Sequence, residues 1–121
     1  TSIPSGFFDN CTQITSFNST FNQCFNLSSI PSGLFDNNTS VINFSSTFKS
    51  CTSINGIPSG LFDNNTNVTT FFSVFRMPTT NNSLVGNAPE LWTRNPEPLG
   101  LYAFRNATGL TNYASIPANW K

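Results

Sequence analysis

The chain has 121 residues, of which only 8% are charged; five basic and five acidic side chains give a formal net charge of zero, and histidine is absent. Nucleic-acid binding is not expected, because it needs clustered Lys and Arg to displace counterions from phosphates. The lack of histidine removes the commonest general base and metal ligand, and no apolar run reaches the roughly 20 residues of a membrane-spanning helix.

Residues 1–78 are organised by a repeat of 27 residues. Isoleucine followed by proline returns at Ile3, Ile30 and Ile57, and most other apolar residues keep the same step. A fixed period of this length is typical of an elongated stack, in which each repeat buries its apolar face against its neighbours. The sequence therefore predicts three regular repeats, the first truncated at its N-terminal side.

Phenylalanine dominates the repeated apolar positions and accounts for 13 residues. Because each repeat presents the same side chain at the same position, like should stack on like at the strand spacing of about 4.8 Å. Alternation with Ser, Thr and Asn places these columns in the core rather than on a ligand-stacking surface. The predicted core columns are Phe17, Phe44 and Phe71; Phe21, Phe48 and Phe75; and Cys24 with Cys51.

Small polar residues separate the apolar columns. The blocks 36–39 and 63–66 read Asp-Asn-Asn-Thr, and such residues favour turns because their side chains bond nearby backbone groups and tolerate left-handed dihedrals. The proline after each isoleucine lacks an amide hydrogen and should end a short strand. Each repeat is predicted to hold two short extended runs, a helical or 3-10 turn and a second tight turn.

Residues 79–121 depart from the period. Ala88-Pro89 and Ile116-Pro117 are relatives of the Ile-Pro pair, and each is followed by a tryptophan, Trp92 and Trp120 respectively. Terminal repeats are atypical because one of their faces meets water. We therefore predict a degenerate fourth repeat and a closing half-repeat that together form a C-terminal cap. No comparable cap precedes the first repeat, so an upstream part of the same polypeptide is expected.

Two of the three cysteines share a column. Cys24 and Cys51 stand at equivalent positions on adjacent repeats, so their Cα atoms should lie within disulfide range. Parallel side-chain directions make that bond awkward, and a reduced thiol is a good small apolar filler. Packing is the favoured interpretation and a disulfide the alternative. Cys11 is then an odd thiol in a turn.

An acidic column runs through Asp9, Asp36 and Asp63. Like charges at strand spacing repel unless each is satisfied locally. We expect each carboxylate to cap its own turn by accepting backbone amides. The alternative is a ladder of oxygen ligands for Ca²⁺.

A basic column is the sharpest functional feature. Lys49, Arg76 and Arg105 each directly follow a phenylalanine of one column, and the C-terminal part adds tyrosine and tryptophan. Trp, Tyr and Arg dominate recognition surfaces, which favours a protein or glycan ligand; the alternative for the tryptophans is a role in capping the core. The candidate ligand-binding residues are Lys49, Arg76, Trp92, Tyr102, Arg105, Tyr113 and Trp120.

The repeat resembles a known family. The positions that carry the likeness are Ile14, Phe17, Phe21, Cys24, Leu27, Ile30 and Pro31, echoed by Val41, Phe44, Phe48, Cys51, Ile54, Ile57 and Pro58. They are similar to the BspA-type leucine-rich repeat over residues 2 to about 78, with an added Ser-Gly-Leu-Phe-Asp-Asn block like one in extracellular leucine-rich repeats. The resemblance implies a mainly β, right-handed solenoid of about four 27-residue coils, with short strands, 3-10 turns and a parallel sheet along one face.

The resemblance also implies a function. Such proteins are displayed on cell surfaces and adhere to host proteins or other cells, without catalytic residues or cofactors; similar repeats in phage tail or fibre proteins make a structural or receptor-binding virion domain the alternative. We accordingly expect an extracellular, cell-surface or virion-surface location, a protein or glycan receptor, and self-association within a larger assembly.

An enzyme is the alternative from another functional class. A two-carboxylate enzyme would need Glu90 to face Glu97, or an Asp of the acidic column, across a cleft.

Overall fold

The computed structural model describes all 121 residues, and its regular secondary structure is sparse. Three 3-10 turns lie in the C-terminal part, at Leu91–Thr93, Tyr113–Ser115 and Ala118–Trp120. None of the helical segments is long or apolar enough to cross a membrane. The remaining regular structure consists of isolated parallel bridges that pair Ser16 with Asn43, Asn43 with Thr70, Thr70 with Leu99, and Gly86 with Leu110.

Successive repeats are joined by a ladder of backbone hydrogen bonds at a nearly constant offset. The N–H of Phe17 donates to the carbonyl oxygen of Asn43 at 2.9 Å, and the N–H of Phe44 donates to that of Thr70 at 3.0 Å. Four such bonds, at every second residue, join each repeat to the next, and four more join the third repeat to the C-terminal segment. Equivalent residues of neighbouring repeats therefore lie side by side.

The backbone between ladder bonds is a run of turns rather than a strand. Ser19, Ser46 and Ser73 have φ values of 58°, 57° and 54°, in the left-handed region. Amides that do not enter the ladder close tight turns instead; the N–H of Thr20, for example, donates to the carbonyl of Phe17 at 3.1 Å. The expected short extended runs are thus reduced to single-residue bridges, because left-handed residues interrupt them.

Stacked phenylalanine rings fill the space between repeats. The ring centroids of Phe17 and Phe44 are 5.7 Å apart, and those of Phe44 and Phe71 are 5.8 Å apart with an interplanar angle of only 2°. A second column continues beyond the regular repeats, from Phe75 onto Phe104 at 6.0 Å. Phe44, Phe71, Phe75 and Phe104 are completely buried.

The first repeat contributes the less buried members of the columns. Phe21 and Cys24 are half-buried, whereas Phe48 and Cys51, one repeat later, are completely buried. The difference follows from position, since the residues of the first repeat have a packed neighbour on one side only.

The two tryptophans, whose positions do not follow the 27-residue period, pack at the C-terminal ends of the phenylalanine columns. Gly100 stands at the ladder position of Phe71 but has no side chain, and a Cβ atom there would lie 2.1 Å from the Trp120 ring. Trp120 is completely buried, with its ring centroid 6.4 Å from that of Phe71. Trp92 packs at 90° to Phe104, with centroids 6.2 Å apart. Both rings therefore continue the aromatic core at its C-terminal end.

Candidate functional site

Part of the basic column converges on one tyrosine. The guanidinium carbon of Arg105 lies 4.7 Å from the centroid of the Tyr102 ring, and that of Arg76 lies 5.4 Å from it. Tyr102 has a φ of 60°, and its ring also lies 6.1 Å from that of Phe72. Two guanidinium groups therefore share one aromatic ring, an arrangement that we call the Arg-Tyr cluster (Arg76, Tyr102 and Arg105).

The Arg-Tyr cluster is accessible to solvent. Arg105 is exposed, and Arg76, Tyr102 and Lys49 of the same basic column are half-buried. The aromatic ring, rather than a carboxylate, is the partner of both guanidinium groups. Cation–π contact holds the two positive charges in place and leaves the N–H donors of the guanidinium groups free to meet an anionic group bidentately.

The other predicted ligand-binding residues lie elsewhere. The Nζ of Lys121 sits 4.9 Å from the centroid of the Tyr113 ring and donates to the Tyr113 carbonyl at 3.1 Å. Trp120 belongs to the core, where its Nε1 donates to Oε1 of Glu97 at 2.7 Å. Trp92 is half-buried against Trp120 at 6.2 Å. Both tryptophans thus pack against the aromatic core, and Trp120 offers no surface to a ligand.

Two buried asparagines fasten neighbouring repeats to each other. The Nδ2 of Asn65 donates to the carbonyl oxygens of Phe35 at 3.1 Å and of Asn38 at 2.9 Å. One repeat earlier, Asn38 makes the same two bonds, to Phe8 at 3.1 Å and to Cys11 at 3.0 Å. Both asparagines are completely buried, although the sequence suggested solvent-facing corners. The sequence does not distinguish them from Asn37 and Asn64, which keep the same 27-residue step and are exposed.

Arg94 makes the equivalent pair of hydrogen bonds between the third repeat and the C-terminal segment. Its two terminal nitrogens donate to the carbonyl oxygens of Asn65 and Phe62, each at 2.7 Å. Its guanidinium carbon lies 5.1 Å from the centroid of the Phe71 ring. Burial lowers the pKa of Arg94, while the charge of Asp63 acts in the opposite direction. Arg94 is therefore a fastening residue of the fold and not a part of the Arg-Tyr cluster.

The acidic column does not cap its turns in the expected way. The Oδ2 of Asp36 lies 3.1 Å from where a Cβ atom on Gly33 would stand, and Gly33 has a φ of +74°. The N–H of Asp36 already donates to the carbonyl of Gly33 at 3.1 Å, so the backbone closes the turn without the carboxylate. No three or more Asp, Glu or Cys side chains lie close enough together to hold a metal ion. Asp9, Asp36 and Asp63 therefore do not form a three-carboxylate site of the kind that the Ca²⁺ alternative would need.

The cysteines are all free thiols. Cys51 is completely buried, and its Sγ donates to the carbonyl of Phe21 at 2.9 Å. Burial raises the pKa of the Cys51 thiol to about 12. Cys24 is half-buried and Cys11 is exposed. Cys51 therefore acts as a hydrogen-bonded filler between two repeats.

The glutamates weighed for an enzymatic site line separate grooves. Glu90 shares a surface groove of about 450 Å³ with Asp63 and Gly60. Glu97 lines another groove, of about 480 Å³, together with Leu99 and Leu101. Glu97 also accepts the hydrogen bond from the Trp120 indole, which gives it a structural partner. Glu90 and Glu97 therefore do not line one cleft, whereas Glu90 and Asp63, the other carboxylate pair considered for an enzyme, line the same groove.

No protein-family model and no curated protein matches the chain. The candidate site therefore rests on contacts within the structure itself. Of the predicted residues, those that come together on an accessible face are Arg76, Tyr102 and Arg105. Lys49 is half-buried at the position equivalent to Arg76, one repeat earlier.

Proposed function

We propose that the chain is a non-enzymatic recognition module, displayed on a cell or virion surface, that binds an anionic receptor through the Arg-Tyr cluster. The sharing of the Tyr102 ring by Arg76 and Arg105 carries the proposal. Two fixed guanidinium groups beside an aromatic ring suit sulfate or carboxylate groups. Acidic glycans and acidic protein surfaces both present this chemistry.

The scaffold of this module, we propose, is a mainly β, right-handed, leucine-rich-repeat-like solenoid with a C-terminal cap. The constant offset of the backbone ladder and the face-to-face phenylalanine columns support that architecture. A stack of this kind places equivalent side chains of neighbouring repeats at nearly equal intervals. It would space Lys49, Arg76 and Arg105 along one edge, where repeating acidic groups of a receptor can meet them.

Binding measurements on variants test the proposed function. The intact protein is applied to arrays of sulfated, sialylated and neutral glycans and, in parallel, to cells stripped of surface glycans by enzymes or left untreated. The double variant Arg76→Ala/Arg105→Ala should lose roughly tenfold or more in affinity, and binding should weaken with rising salt. The matched control is Thr39→Ala/Thr66→Ala, which changes two exposed side chains of another column.

The outcomes separate the alternatives. Binding to acidic glycans alone identifies a glycan receptor, and binding that survives glycan removal identifies a protein receptor. Equal affinity of the wild type and the double arginine variant contradicts the proposed site. Turnover of any glycan that disappears in Glu90→Gln would instead revive an enzymatic interpretation.

A further inference from the structure

The backbone ladder has an unpaired edge at its C-terminal end. In the third repeat, the N–H of Phe71 donates to Leu99 at 2.8 Å, and the N–H of Leu99 donates back to Thr69 at 2.9 Å. These two bonds flank the parallel bridge between Thr70 and Leu99. The same pattern, moved one repeat further, would use the C=O of residue 98 and the N–H groups of residues 100 and 102.

Those groups have no backbone partner. The carbonyl of Pro98 and the N–H groups of Gly100 and Tyr102 take part in no backbone hydrogen bond. By contrast, the N–H of Phe104, two residues further along, is occupied by the carbonyl of Trp120 at 2.9 Å. The unpaired edge is therefore short, from residue 98 to residue 102, and one acceptor and two donors alternate along it as on the edge of a parallel sheet. Pro98 and Gly100 are buried as whole residues and Tyr102 is half-buried, so a partner would reach these groups only through the groove beside them.

A groove of about 480 Å³ lies along this edge. It is lined by Glu97, Pro98, Leu99, Gly100, Leu101 and Asn119. Leu99 and Leu101 are exposed by 57% and 40%, among the most exposed large apolar side chains of the protein. Gly100, which lies between them, is buried against Trp120, so both leucine side chains lie on the outer side of this backbone segment. Unpaired backbone groups and two apolar side chains thus occur together, which is the combination used in recognition by strand addition.

We propose that this edge groove binds an extended peptide segment of a protein partner as one further rung of the ladder. One partner amide would donate to the carbonyl of Pro98, and two partner carbonyls, two residues apart, would accept from Gly100 and Tyr102. Apolar partner residues pack on Leu99 and Leu101. A peptide is favoured over a glycan because a peptide backbone matches both the donors and the acceptor at this spacing.

The edge groove deepens the proposed function and rests on it. Tyr102 belongs both to the unpaired edge and to the Arg-Tyr cluster. A segment that enters beside Leu99 and runs in the direction of the chain therefore ends at Tyr102, on whose ring the guanidinium groups of Arg76 and Arg105 lie. The preferred partner is an extended segment with alternating apolar residues followed by an acidic residue.

Selection of peptides tests the edge groove. Random linear peptides displayed on phage are selected on the intact protein, with counter-selection on the variant Leu99→Asp/Leu101→Asp, whose two changes lie on exposed side chains. Selected peptides should bind the variant at least tenfold more weakly than the wild type, and thermal melting of the variant checks that it remains folded. In a scan of N-methylated peptides, methylation of the amide that meets Pro98 should abolish binding, whereas methylation of the adjacent amides should not. Hydrogen exchange at the Gly100 and Tyr102 amides should slow on binding.

The outcomes distinguish failure of the edge groove from failure of the Arg-Tyr cluster as the receptor site. If no selected peptide depends on Leu99 and Leu101, or if N-methylation has no alternating effect, the edge groove is wrong. If a natural receptor is lost on Arg76→Ala/Arg105→Ala but not on Leu99→Asp/Leu101→Asp, the proposed function stands and the edge groove fails. Binding of acidic glycans alone, with unchanged exchange at Gly100 and Tyr102, also overturns the edge groove.

Discussion

Replacing Asn65 by alanine should destabilise the protein although no apolar contact is lost. The Asn65 amide donates to the carbonyls of Phe35 and Asn38 from a completely buried position. Each buried hydrogen bond contributes about 1 kcal/mol. Both carbonyls also accept a backbone amide, from Asn38 and Val41 respectively, so neither would be left wholly unpaired. The cavity adds a further cost, while removal of the buried, unpaired Oδ1 of Asn65 offsets part of it. The expected loss is about 2 kcal/mol.

Urea unfolding measures this loss. Asn65→Ala should lower the unfolding midpoint without changing the slope of the transition, and should lower Tm by roughly 4 °C for each kcal/mol. The matched control is Asn37→Ala, at an exposed position, with an expected effect within about 0.5 kcal/mol. Asn65→Asp should cost more than Asn65→Ala at neutral pH, because a buried carboxylate would face two carbonyl oxygens.

Acidification distinguishes the two Asn65 variants further. Burial and the facing carbonyl oxygens should raise the folded-state pKa of the introduced Asp above its unfolded value, so the stability of Asn65→Asp should recover as the pH falls. The stability of Asn65→Ala relative to the wild type should not recover as the pH falls, because this variant adds no titratable group. If Asn65→Ala and Asn37→Ala unfold at the same urea concentration, the fastening role of the buried asparagines is refuted.

Two further predictions concern the core. Gly100→Ala should destabilise the protein by more than 1 kcal/mol, because the added Cβ meets the Trp120 ring at 2.1 Å. Calorimetry compares this loss with that of Gly86→Ala, where a Cβ would meet nothing within 4 Å but φ is +79°. A smaller loss at Gly100 than at Gly86 would contradict the packing. Since burial raises the pKa of Cys51 from 9.0 to about 12, the stability linked to this thiol is complete below pH 9 and is lost as the pH rises toward 12. The urea midpoint of Cys51→Ala should therefore decline less than that of the wild type over this interval, and a constant difference between the two would contradict the assignment.

The periodic part of the fold follows directly from the sequence. A constant step of 27 residues is enough to predict that Phe17, Phe44 and Phe71 are neighbours, and their rings lie 5.7 and 5.8 Å apart. The step does not specify how the backbone travels between columns. Left-handed φ values at Ser19 and Ser46 turn the expected strands into turns, and serine carries no strong signal for that conformation.

Non-periodic contacts could not be predicted in the same way. Trp120 fills the column at Gly100 from 20 residues further along the chain, so no repeat marks their contact. Arg94 replaces a buried asparagine with a longer side chain that reaches the same kind of carbonyls, and no repeated position marks it. Within the site, the basic column was visible as a pattern. The shared contact with Tyr102 was not, because the equivalent position of the regular repeats is a serine, Ser73 in the third repeat.

Scalar couplings across hydrogen bonds, measured by NMR on the ¹⁵N, ¹³C-labelled protein, test the stacking of the repeats most directly. The ladder predicts couplings from the amide nitrogen of one repeat to the carbonyl carbon of the next. The pairs to be observed are Phe17 with Asn43, Phe44 with Thr70, and Phe71 with Leu99. Detection of all three couplings is the expected result. Couplings that connect these amides only to carbonyls of their own repeat, or rapid hydrogen exchange at all three, would contradict the stacked arrangement on which the proposed site depends.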